Sequence, residues 1–111
     1  MAIIGYIRIN SRKQNLEHQI CEIEQFAKDK KIKIDKWVKI SSRKPLGRHH
    51  IEFFLDGLEK GDILIAYEIS SLGRSFLEVM HILETCLNKN CQVWTIKENY
   101  RFGIINSPND G

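Results

Sequence analysis

The sequence is poor in whatever would cross-link it, hold a metal or cross a membrane. Three cysteines (Cys21, Cys86, Cys91) and two prolines are all that 111 residues contain. An odd cysteine count without metal-ligand spacing argues against a disulfide scaffold or a zinc module, and fits reduced thiols in a cytoplasm. No apolar run approaches the ~18 residues of a spanning helix, so no membrane partner is expected. The apolar part of "MAIIGYIRIN" is too short to read as a signal peptide. Repeats and low-complexity tracts are missing too. What is left is an ordinary globular composition, 42% apolar and 28% charged, at a length suited to one domain with one core.

The net charge of +3 hides an asymmetry. Between Lys28 and Arg48 stand nine Lys or Arg against Asp29 and Asp35, whereas from His49 onward five basic residues face nine acidic ones. The basic stretch reads either as a solvated face or as a surface for an anionic partner, nucleic acid before membrane.

Periodicity gives the element order. "AIIGYIRI" (2–9) suits a strand covered on both faces. Residues 14–31 repeat Leu16, Ile20, Ile23 and Ala27 at helical steps. "IKIDKWVKI" (32–40) alternates as an edge strand would, with Ile32, Ile34, Val38 and Ile40 on one face and Trp37 on the other. After the loop "SSRKPLG", a helix carries Ile51, Phe54, Leu55 and Leu58. "DILIAYEI" (62–69) is a buried strand. A further helix bears Phe76, Val79, Met80, Leu83 and Leu87 on one stripe, read first as core, and "CQVWTIKE" (91–98) is a fourth strand. The alternation β-α-β-α-β-α-β calls for a mostly parallel four-stranded sheet with helices on both faces, a three-layer α/β fold.

Ligands of such sheets meet the carboxyl ends of the strands. Arg8 sits at one such end, and Arg48 and Arg74 begin helices at the same edge. A guanidinium is a planar, permanently charged fork that matches phosphate oxygens. One strand-end arginine could simply pair with Glu68 on a neighbouring strand. Three aimed at one edge tolerate each other best with an anion among them. The adjacent His49 and His50 point in different directions and suit solvent or DNA better than metal.

The stretches "YIRINSRKQNL", "RHHIEFFLDGLEKGD" and "SSLGRS", followed by "VMHIL", resemble the catalytic domain of the serine recombinases, the resolvases and DNA invertases. The likeness spans about Ile3 to Asn106, and "IKENYRFG" resembles the invertase-like branch. It implies a resolvase-like fold over residues 1–98. The segment 99–111 would be a tail leading to a dimerisation helix and a helix-turn-helix not contained in this sequence. It implies DNA as partner, a dimer or tetramer of the full-length family, and neither metal nor cofactor. In that family a serine after the first strand attacks a DNA phosphodiester and clustered arginines stabilise the transition state. By position, Arg8, Arg48 and Arg74 match those arginines and Gln14 matches a supporting glutamine. Arg12, Lys13, Arg43 and Lys44 are candidate DNA contacts on the same edge.

Two departures bear on chemistry. The nucleophile position is Asn10, whose amide has no hydroxyl to activate. The family's Asp-Arg pair before Leu-Gly-Arg is Ser70-Ser71, which removes one positive charge. Ser11 either caps the first helix through the box "SRKQ" or stands in as nucleophile. The expected function is DNA strand exchange through a phosphoserine intermediate, impaired at Asn10. The alternatives are a non-catalytic pseudo-recombinase that pairs with active subunits, or a phosphate-binding signalling domain.

Overall fold

The computed structural model describes residues 1–9, 13–41 and 47–103. Among these described residues, nine elements follow in order. They are β1 (Ile3–Ile9), α1 (Lys13–Lys30), β2 (Lys36–Ser41), α2 (Gly47–Asp56), β3 (Ile63–Ala66), a 3-10 turn (Ile69–Ser71), α3 (Phe76–Asn88), β4 (Gln92–Thr95) and β5 (Tyr100–Phe102). The sheet runs β2-β1-β3-β4-β5, with parallel pairing throughout except between β4 and β5.

The alternation along β1 divides the core. Ile4 and Tyr6 face α2 and α3, where Ile51, Leu55, Leu64, Leu72, Ile82 and Val93 complete one buried cluster. Ile7 faces α1 and packs with Ile23, Ile63 and Ile65, flanked by Phe26, Trp37 and Trp94. Both faces of the central strands are thus covered, which is why they read as continuous apolar sequence. Gly5 lies under Trp37, where a β-carbon would fall 2.4 Å from the indole ring. No larger residue fits without displacing the tryptophan.

Polar groups fix the connections. The buried Asp62 accepts the Ala2 N–H at Oδ1 and the Glu59 N–H at Oδ2, both at 2.9 Å. The Lys89 ammonium, just past α3, donates to the carbonyls of Leu55 (2.7 Å) and Asp56 (3.0 Å) at the end of α2. It supplies positive charge where the helix dipole is negative.

Three expectations need correction. Among the described residues the sheet has five strands rather than four, because residues 96–99 turn the chain back. Asn99 takes a left-handed φ of 61°, and Arg101 lies over the Trp94 ring at 4.5 Å, so residues placed in a tail instead extend the sheet past residue 98. The face assignment of 32–40 also changes. Ile32 and Ile34 precede β2 and pack on the α1 side with Trp37, while Val38 and Ile40 face the other layer. Finally, the α3 stripe splits. Val79 and Leu83 are buried, together with Ile82 and Cys86, but Phe76, Met80 and Leu87 are exposed.

Candidate functional site

Arg8, next to last in β1, shares a face with Tyr6. Beyond Gly5, β1 has no ladder partner on its β3 side, since their pairing ends at Gly5–Ile65. The Gln19 amide serves that part of the strand. Its Nε2 donates to the Arg8 carbonyl at 3.1 Å, and its Oε1 accepts the Arg8 N–H at 3.4 Å. Gln19 is 3% exposed, so the amide works in a dry setting where its hydrogen bonds are costly to lose.

The side chains of this strand end meet the turn before α3. The Tyr6 hydroxyl donates to the Leu72 carbonyl at 2.8 Å, and the Arg8 Nη1 donates to the Gly73 carbonyl. Gly73 packs so tightly that a β-carbon would lie 2.9 Å from the Val79 nitrogen. Burial raises the Tyr6 phenol well above its ordinary range, with Glu78 adding to the effect. Burial lowers the Arg8 guanidinium, against the opposing pull of Glu78. Arginine starts so basic that it stays charged at neutral pH. Arg74 follows Gly73 and is exposed. Among the described residues its guanidinium has no hydrogen-bond or ion-pair partner.

Arg8 and Arg74 line one cleft of about 450 Å³, with Ser70 and Ser75 as further polar lining and Phe76 and Met80 as an apolar rim. Ser71 does not line it. The pairing of Arg8 with Glu68 is not formed; Glu68 binds Lys97 at 3.1 Å instead. Asn10, Ser11, Arg12, Arg43 and Lys44 lie outside the described residues, as do the side chains of Lys13, Gln14 and Arg48. The backbone does place Arg48 in the first turn of α2. Lys28, Lys30, Lys31 and Lys33 belong to the end of α1 and the segment after it, at the opposite edge of the sheet from Arg8.

Two site residues escaped the sequence reading, and each leaves a signal. Gln19 is a polar side chain on the apolar stripe of α1, between Leu16 and Ile23 at helical steps. Glu78 completes the capping pattern Ser75-x-x-Glu78 at the start of α3.

The family model described as the resolvase N-terminal domain matches residues 3–110. The chain belongs to that family. Two resolvases of Clostridium perfringens, one of them from strain 13 / Type A, are 26% and 24% identical to it over 98 residues. Those 98 residues are 88% of this chain and 50% of each relative. The chain therefore spans about half the length of the curated relatives it matches. Among solved structures it is similar to the N-terminal catalytic domain of TP901-1 integrase, with a TM-score of 0.69 at 11% identity, covering 91% of this chain and 81% of that one. It is also similar to a resolvase family site-specific recombinase from Streptococcus pneumoniae (TM-score 0.69, 13% identity, 96% and 78% covered). The C-terminal catalytic domain of ISC1926 TnpA, an IS607-like serine recombinase, gives 0.65 at 17%, with 99% and 72% covered. At these identities the structures share the fold of this resolvase-family domain.

Proposed function

We propose that this resolvase-family domain engages a DNA phosphodiester between Arg8 and Arg74, with Arg48 as third member, as part of DNA strand exchange of the resolvase and invertase type. The observation that carries the reading is the shared cleft. Two arginines from distant parts of the sequence line one opening, one held by the Gly73 carbonyl and the other without a described partner. Such a pair repels itself when empty and is satisfied by a phosphate, whose oxygens match guanidinium geometry.

Asn10 stands where the family places its serine. Its amide cannot form a phosphoserine-type link, so cleavage by that route is impaired in this chain. Arg12, Lys13, Arg43 and Lys44 would add salt-sensitive phosphate contacts that carry no sequence preference. DNA as substrate, assembly as a dimer or tetramer and a cytoplasmic location belong to the same proposal. The substitution at Asn10 equally favours a second reading, a non-catalytic subunit that binds DNA beside active copies.

The test uses the natural chain and its Asn10→Ser, Arg8→Ala and Arg74→Ala variants with nicked duplex DNA. Binding is read by fluorescence anisotropy and covalent adducts on denaturing gels. Weaker binding in both arginine variants, with an adduct only in Asn10→Ser, is expected. An adduct in the natural chain would move the nucleophile to Ser11 or elsewhere. Arginine-dependent binding with no adduct in either form favours the non-catalytic subunit. Binding indifferent to both arginines refutes the phosphate site.

A further inference from the structure

The turn that presents Arg74 is held by a side chain to which the phosphate reading gives no role. Ser75 caps α3 by accepting the Glu78 N–H at 3.2 Å, and Glu78 reaches back to accept the Arg74 N–H at 2.9 Å. This is a capping box displaced by one residue, since the carboxylate serves the N–H just ahead of the cap. The stem of Glu78 also supports Gly73, where a β-carbon would lie 3.0 Å from Glu78 Cβ and Cγ. The Gly73 carbonyl in turn receives the Arg8 guanidinium. One half-buried glutamate therefore contacts the backbone that fixes both arginines.

Hydrogen bonding alone does not call for a carboxylate, because glutamine serves equally well in a capping box. Charge distinguishes the two. Glu78 exerts the strongest opposite charge on the Arg8 guanidinium, whereas Arg74 acts on it with like charge. From its seat on the Arg74 backbone N–H, outside the cleft lining, this anion acts on the Arg8 guanidinium; there it offsets part of the repulsion between the arginines while the cleft is empty and opposes any second anion that arrives.

We infer that Glu78 is the resident counter-charge of the arginine cleft, shaping the Leu72–Ser75 turn while keeping the opening only weakly attractive to free phosphate. It is a positioning residue, since it acts through Gly73 and Arg74. The inference rests on the phosphate reading above. Its consequence is selectivity: a lone phosphate meets an offset field, whereas a phosphate within DNA is brought in by its neighbours' contacts.

Isothermal titration of the whole chain with inorganic phosphate tests this at low and at tenfold higher ionic strength. Glu78→Gln keeps an acceptor for the Arg74 N–H and removes the charge. It is expected to bind phosphate on the order of threefold to tenfold more tightly at low salt, with the gain shrinking as salt screens it. Glu78→Ala also removes the acceptor and the stem, and should bind more weakly than Glu78→Gln. If that variant unfolds, Ser75→Ala loosens the same turn with the charge kept, and must weaken binding. Unchanged affinity in Glu78→Gln, or a gain that ignores salt, overturns the counter-charge. Equal affinity in the Gln and Ala variants overturns the shaping role. Both results presuppose natural-chain binding that Arg8→Ala or Arg74→Ala reduces. Without such arginine-dependent binding, the phosphate reading falls and takes this inference with it.

Discussion

Replacing Gln19 with leucine keeps most of the side-chain volume and deletes both hydrogen bonds to the Arg8 backbone. The Arg8 N–H and C=O on that side of β1 face no strand, because β3 pairs only as far as Gly5. Each bond is worth about 1 kcal/mol, and leaving its backbone partner unmet adds about 1–3 kcal/mol where water cannot enter. Part of that penalty is relieved if the strand end opens to solvent, so the expected loss is about 2–4 kcal/mol. With a urea m-value of about 1.3 kcal/mol/M, the midpoint falls by roughly 2 M. Hydrogen exchange gives the local readout: the Arg8 amide should lose protection beyond the global change, while the Ile4 amide should not. Gln19→Glu is the sharper companion. The introduced carboxyl can donate to the Arg8 carbonyl only when protonated, so its folded pKa is raised. The stability that it contributes is therefore present at acid pH and lost as pH rises through that pKa. A Gln19→Leu variant within about 0.5 kcal/mol of the natural chain, the range of a neutral surface change, would show that the amide does not secure the strand.

Tyr6 makes folding sensitive to alkali. Its phenol is raised by burial, so the folded state keeps a proton that the unfolded state releases near pH ~10. Stability should be level below that pH and fall above it by up to about 1.4 kcal/mol per pH unit, and Tyr6→Phe should flatten the slope. The Thr95 hydroxyl is buried and has no hydrogen-bond partner among the described residues. Thr95→Val should therefore be neutral or stabilising by up to about 1 kcal/mol in thermal melts, against the usual direction for a buried change. Lys89→Met keeps the stem and removes the ammonium from the end of α2. It should cost about 1–2 kcal/mol in urea unfolding and free the last α2 amides to exchange.

Elements stated by periodicity were legible in the sequence, and those made by contact were not. The continuous apolar runs of β1 and β3 and the helical spacing of Leu16, Ile20 and Ile23 announce a covered parallel sheet. Strand β5 is invisible at that level. Three residues carry no period, and what pins them is the antiparallel ladder to β4 together with a cation over an aromatic ring on that strand. Phe76 has the spacing of a core residue yet is 76% exposed, because Val79 and Ile82 turn the helix so that its first turn overhangs the cleft. Arg8 and Arg74 were readable as neighbours of one sheet edge. Their supports were harder to see, since Gln19 and Glu78 gain meaning only when a strand end and a turn distant in sequence come together.

The two margins of the sheet differ in how they resist growth. At one, β5 offers an incoming chain a ladder of three residues among the described ones, with Arg101 drawn across Trp94 and Phe26. At the other, β2 bears the exposed Lys36 and Lys39, which repel a second β2 laid alongside. A short ribbon and exposed like charges, one on each face of the strand, are both ways to discourage edge-to-edge stacking. Removing those two lysines should matter little to folding and much more to how long a concentrated solution stays clear.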